Sequence, residues 1–309
     1  MKNFKNFSTL ISILFLIIGA YYIYNNPELF EYFDLIELKI LVWLIGIKFI
    51  TLLINAFFNK DLLRCFEVDL SFPESLYIAS ITFVGNLLLP GRLGGSLRLV
   101  YLKKVYGLKS TYLLNIFAYF FIVSIFINSF FGILSLLLIT QIYDFNYITW
   151  ILVFLFSFSI SSYLLFSKFR IKKKTTKNKF LQIFYNFLKT GKEGWLKIIE
   201  FKNLNRRLIA IYILNYFFFF LEIAIIFEMF NFTKDTLNIV FYNSVSVFSN
   251  LIGLTPGALG IKESLMIFSL DIISVDLNRL FVIAIVERIV AILFMTLPLI
   301  YTVIYSKKK

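Results

Sequence analysis

Leu89-Pro90-Gly91-Arg92-Leu93-Gly94 and Thr255-Pro256-Gly257-Ala258-Leu259-Gly260 carry the same short signature at matching depth in the two halves of the chain. Each interrupts a strongly apolar stretch. Proline and glycine there break a helix and free backbone polar groups that hydrocarbon cannot satisfy. A membrane protein tolerates such a break only where it is buried in protein or lines a wet cavity. Two matched breaks point to a transporter-like architecture with a binding site near the bilayer midplane.

The rest of the composition agrees. Of 309 residues, 60% are hydrophobic, and the mean hydropathy is +0.84. That excludes an ordinary soluble domain, and several runs reach the roughly 20 residues a spanning helix needs. Cys65 is the single cysteine, so no internal disulfide can form. There is no histidine, which removes the commonest metal ligand and the commonest general base near neutral pH. No metal site, cofactor or catalytic residue is expected. The net charge is +13, and Lys168–Arg207 alone holds thirteen basic residues against Glu193 and Glu200. Such a segment marks a cytoplasmic loop and suits anionic lipid head groups. No recognition motif accompanies it, so nucleic acid is not an expected partner.

Charge in the loops orders the crossings. The first apolar run, about 7–24, is followed by Asn25-Asn26-Pro27-Glu28 rather than a small-residue cleavage site, so it is expected to be the first spanning helix. The loop 25–37 is acidic and external. Helix two covers about 38–58. The stretch 74–89 has cytoplasmic charge on both flanks, so it should enter and turn back as a re-entrant hairpin. The run 110–140 crosses outward, either tilted or broken near Asn128-Ser129, and 147–167 returns to the basic loop. An amphipathic stretch is expected near 180–200, where Phe180, Ile183, Phe184, Phe187 and Leu188 fall at helical spacing. Helix 207–230 leads to 237–276, which holds the second break with both ends outside, and about 277–305 returns inward.

The expectation is therefore one all-α, polytopic membrane domain, 1–309. It has six full crossings and two re-entrant helical hairpins in an inverted repeat. The first half is 1–167, with its break at 90–95. The basic cytoplasmic loop is 168–207. The second half is 208–309, with its break at 256–260. Both termini should be cytoplasmic, in the cell membrane.

The breaks also carry the candidate chemistry. Gly91, Gly94 and the following helix start offer backbone N–H groups, and Arg92 and Arg98 add guanidinium forks that suit phosphate. After Gly260 come Lys262 and Glu263, and the last helix holds Glu287-Arg288. Ionisable residues inside a membrane are functional candidates by default. Glu263 could pair with Lys262 or Arg288. Glu222 could pair with Arg288 or carry a coupling proton. Asn55, Asn86, Asn115, Asn215 and Asn250 suit interhelical hydrogen bonds.

Taken together, these residues resemble the membrane domain of the lysylphosphatidylglycerol synthase, or flippase-like, family. Leu88-Leu89-Pro90-Gly91-Arg92-Leu93-Gly94-Gly95-Ser96-Leu97-Arg98 matches its LLPGR-x-G-x-x-x-R segment. Pro256-Gly257-Ala258-Leu259-Gly260-Ile261-Lys262-Glu263 matches PGGLG-x-[RK]-E, and Glu287-Arg288 matches a late arginine-bearing helix. Ala258 stands where the family has a second glycine. Asn115–Phe120 lacks the charged pair the family often carries there. The resemblance implies lipid translocation without the soluble aminoacyl-transferase domain. The expected function is movement of an anionic phospholipid or lipid-linked head group between leaflets. The expected partners are that lipid and the bilayer, with monomer and homodimer both open. The alternatives are a membrane-embedded lipid-modifying transferase and a non-transporting scaffold.

Overall fold

Apolar length decides which helices can cross. The computed structural model describes residues 34–89, 93–139, 145–167, 179–232, 235–252, 260–273 and 275–307, with Tyr21, 24–27, 31–32, Thr255 and Ala258. All described secondary structure is helical. The helices are α1 (Leu38–Arg64), α2 (Phe72–Leu88), α3 (Leu93–Tyr106), α4 (Ser110–Leu138), α5 (Phe145–Phe166) and α6 (Lys179–Glu200). They continue with α7 (Lys202–Met229), α8 (Thr236–Ile252), α9 (Ile261–Ile267), α10 (Leu270–Ile273) and α11 (Leu277–Lys307). Five are long and apolar enough to cross a membrane: α1, α4, α5, α7 and α11. The expected first crossing lies outside the described residues, apart from Tyr21 and Tyr24. So do Pro90, Gly91, Arg92, Pro256 and Gly257.

α2 and α3 have 17 and 14 residues, or about 25 and 21 Å of helix, short of the ~30 Å hydrocarbon core. They form an antiparallel hairpin. At its closed end Gly94 lies so near the other arm that a Cβ would sit 2.1 Å from the Thr82 carbonyl oxygen. At its open end Tyr101 and Tyr106 donate hydrogen bonds to the two carboxylate oxygens of Glu74, at 2.6 and 2.7 Å. Ser71 caps α2 by accepting from the Glu74 N–H. Leu89 is extended, with ψ 142°, which ends α2 at the residue before Pro90, as a following proline demands. In the second half, α9 and α10 pack back on α8 in the same way.

The halves repeat each other. Pro256 follows Pro90 by 166 residues (256 − 90). Shifting α1, α2, α3 and α4 by 166 gives 204–230, 238–254, 259–272 and 276–304. The observed elements are 202–229, 236–252, 261–273 and 277–307. Packing is reciprocal as well: α2 lies on α11 as α8 lies on α4, and α1 touches α11 as α7 touches α4. The equivalent helices α1 and α7 run antiparallel. Lys48 meets Glu222, Asn55 meets Asn215, and Asp61 meets Arg207. α5 and α6 lie between the repeated units in sequence.

Several boundaries differ from the sequence expectation. α1 continues past 58 because Asn59 and Asp61 are buried with partners: Arg98 bonds Asn59, and Arg207 bonds Asp61 at 2.7 Å. α4 runs unbroken through Asn128-Ser129, where Asn128 returns its amide to the Ser124 carbonyl. The amphipathic stretch expected near 180–200 is the helix α6; what differs is that it is docked on α4. Trp195 and Ile198 are buried in the core, Asn115 donates to the Gly191 carbonyl at 2.8 Å, and Trp195 donates to the Leu164 carbonyl.

One end of the bundle gathers Arg64, Lys103, Lys104, Lys109, Lys197 and Arg207, with the junctions α1–α2, α3–α4 and α6–α7. There Tyr301 donates to the Pro73 carbonyl, which brings the α11 C-terminus to the same end. The opposite end gathers Asp34, Glu37, Asp235 and Asp276. Cys65, at the basic end, is buried, and desolvation pushes its thiol up to about 12, so maleimides should react with it slowly.

Candidate functional site

A buried cation with no counter-ion among the described residues anchors the site. α3 starts just after the first break and carries Arg98 on its second turn. The residue is 3% exposed. Its Nη1 donates to Asn59 Oδ1 at 2.7 Å, and its guanidinium lies 5.9 Å from the Phe120 ring centroid. Nε has no partner. Among the described residues, no carboxylate lies within ion-pair distance of Arg98. It lines a cavity of about 250 Å³ together with Lys48, Asn55, Asn59, Asn86 and Asn215. Asn55 bonds Asn215 across α1 and α7, and Asn86 Oδ1 is buried without a partner. Phe117 and Phe120 also line it, so the uncharged Asn115–Phe120 stretch supplies aromatic surface here.

A second cavity, of about 190 Å³, adjoins the first. Lys48, Phe83, Asn86 and Phe219 belong to both walls. Its polar wall is Asn250, Lys262, Glu287 and Arg288. Here the cations are neutralised. Lys262 pairs with Glu287, and Arg288 pairs with Glu263. Glu263 also accepts from the Gly260 N–H at 2.7 Å, which fixes the start of α9. Glu287 accepts from the Tyr242 hydroxyl. Glu222 pairs with Lys48 at 2.7 Å, rather than with Arg288; the antiparallel α1–α7 packing sets that register.

Six sequence candidates thus gather around the paired cavities: Arg98, Glu222, Lys262, Glu263, Glu287 and Arg288. Gly94 and Gly260 shape the two breaks and line neither of these two cavities. Lys48 and Asn59 were not singled out in the sequence, although Lys48 lies in the apolar run 44–54, the same signal that marks Glu222.

Ala258, in the second break, carries backbone strain. Ala258 has φ 54°, a left-handed conformation that costs a non-glycine residue about 1–2 kcal/mol. Gly260, at φ 80°, meets no such penalty. Ala258→Gly should therefore raise the melting temperature in detergent, by the equivalent of about 0.5–1 kcal/mol after the added chain entropy. An unchanged or lower melting temperature would count against the strain.

These helices and their buried ion pairs define a polytopic helical membrane protein. The family model described as the lysylphosphatidylglycerol synthase TM region matches residues 7–298. The chain belongs to that family, whose name refers to the membrane region of a lipid-modifying synthase. Neither a curated protein nor a solved structure matches the chain.

Proposed function

We propose that the protein moves a phosphate-bearing, anionic lipid between leaflets, as a transporter rather than an enzyme. Arg98 is the observation that carries this reading. A buried cation without a counter-ion costs several kcal/mol, and a phosphate oxygen pair fits a guanidinium fork in two-point fashion. The two cavities together are of ligand-pocket size, roughly 300–1,000 Å³, and suit a head group while acyl tails stay in the bilayer.

The topology follows from charge. The basic end is cytoplasmic by the positive-inside rule, in the cell membrane. Both ends of the α2–α3 hairpin lie there, so it is re-entrant from the cytoplasm; the α8–α10 hairpin is re-entrant from outside. With the expected first crossing this makes six crossings and two hairpins in an inverted repeat, and both termini are cytoplasmic. Rocking one repeat against the other would expose the site alternately.

The test is translocation of fluorescent phosphatidylglycerol in proteoliposomes, read by quenching from one side. The expected result is movement well above protein-free vesicles and at least about tenfold faster than for phosphatidylcholine, the discrimination expected for ~1.4 kcal/mol. Equal rates for both lipids, or none, would overturn the proposal.

A further inference from the structure

Lys48 is, among the described residues, the cation common to the walls of both cavities. It sits mid-helix in α1, 2.7 Å from Glu222 Oε1 and 5.3 Å from the Phe219 ring centroid. Glu222 is fully buried and lines neither cavity. The carboxylate therefore holds the ammonium from behind. The contact is an ion pair without a hydrogen bond, so it does not exhaust the three N–H donors of the ammonium.

From this arrangement we infer that Lys48 is the transfer residue of the lipid path, a conclusion that rests on the function proposed above. Arg98 holds the phosphate in the first cavity. Lys48 takes it next, without releasing Glu222, and passes it to the cavity of Lys262 and Arg288. An anion that left Arg98 with no second cation in reach would cross low-dielectric space uncompensated, where charge separation is most costly. Lys48 removes that gap. In the second cavity, Glu287 and Glu263 occupy the cations until the phosphate arrives, so the empty site holds no unpaired charge.

The obvious single variant, Lys48→Gln, would strand a buried Glu222 and could fail to fold. The double variant Lys48→Gln/Glu222→Gln removes both charges and leaves none unpaired. Binding of a short-chain phosphatidylglycerol is measured by calorimetry, and translocation in proteoliposomes. The expected result is binding within about threefold of wild type, because Arg98 remains, with translocation reduced at least about tenfold. A double variant that moves lipid at the wild-type rate overturns the inference, since Lys48 then only neutralises Glu222. Loss of binding as complete as that from removing Arg98 also overturns it. Glu222→Gln alone keeps Lys48 and frees its full charge, so head-group binding should tighten severalfold; unchanged or weaker binding overturns the inference. Wild-type protein that moves no phosphatidylglycerol would instead remove the underlying function.

Discussion

Arg98→Met is expected to abolish lipid translocation and to make the protein more stable. The two effects share one cause. Arg98 is 3% exposed, with one hydrogen bond to Asn59 and no carboxylate within reach among the described residues. Losing that charge-assisted bond costs about 1.5–3 kcal/mol. Removing a buried charge that lacks a counter-ion gains several. Methionine fills similar volume, so no large cavity opens. The melting temperature should rise by several degrees, and translocation of phosphatidylglycerol should fall to the rate of protein-free vesicles. Short-chain phosphatidylglycerol should stabilise the wild type, by about 2.7 kcal/mol at a hundred times its Kd, and leave the variant unmoved. A structural arginine would give the opposite sign: lower stability on replacement. Lower stability together with wild-type transport would remove Arg98 from the site.

Gly94→Ala carries the largest expected effect on folding. The added Cβ would lie 2.1 Å from the Thr82 carbonyl oxygen and 2.5 Å from the Asn86 nitrogen. Both are backbone atoms of α2, so no rotamer change relieves the contact; one arm must shift. Overpacking usually costs 1–3 kcal/mol, and a backbone collision belongs at or above the top of that range, about 3 kcal/mol. Gly95→Ala meets the Phe117 ring, at 2.5 Å, which can rotate away, so its cost should be smaller. Gly46→Ala meets nothing within 4 Å and should be neutral or slightly stabilising, since alanine is the better helix former. Melting temperatures in detergent should fall in the order Gly46→Ala, Gly95→Ala, Gly94→Ala. A Gly94→Ala protein as stable as wild type would mean that the hairpin arms are not in contact.

Much of this arrangement was legible from residues alone. The matched Pro-Gly breaks gave both interruptions, and hydropathy gave α1, α4, α5, α7 and α11 to within a few residues. The glycine and charge content of the breaks pointed to Arg98, Lys262 and Glu263, and the intramembrane charge of the last helix to Arg288; all four border the paired cavities or hold a residue that does. The pairing scheme was legible only in part: Glu263 meets Arg288, one of the two partners expected for it, but the other pairs left no trace. Glu222 meets Lys48 because α1 and α7 pack antiparallel, and helix register across 174 residues (222 − 48) leaves no local trace. Asn59 and Asp61 looked like the start of a loop, because their partners Arg98 and Arg207 are distant in sequence. Helical spacing near 180–200 anticipated α6, but the positive charge of the segment conceals that Trp195 and Ile198 are buried against α4.

Side-specific labelling of the two hairpins tests the central claim most directly. Single cysteines at Asp69 and Lys109 flank the first hairpin, and cysteines at Thr236 and Leu277 flank the second; all four positions are exposed. Buried Cys65 should contribute little background. With an impermeant maleimide on oriented vesicles, the account predicts labelling of 69 and 109 from the basic, cytoplasmic side only, and of 236 and 277 from the opposite side only. Labelling of either hairpin's two flanks from different sides, or of all four positions from one side, would contradict two opposed hairpins meeting within the bilayer.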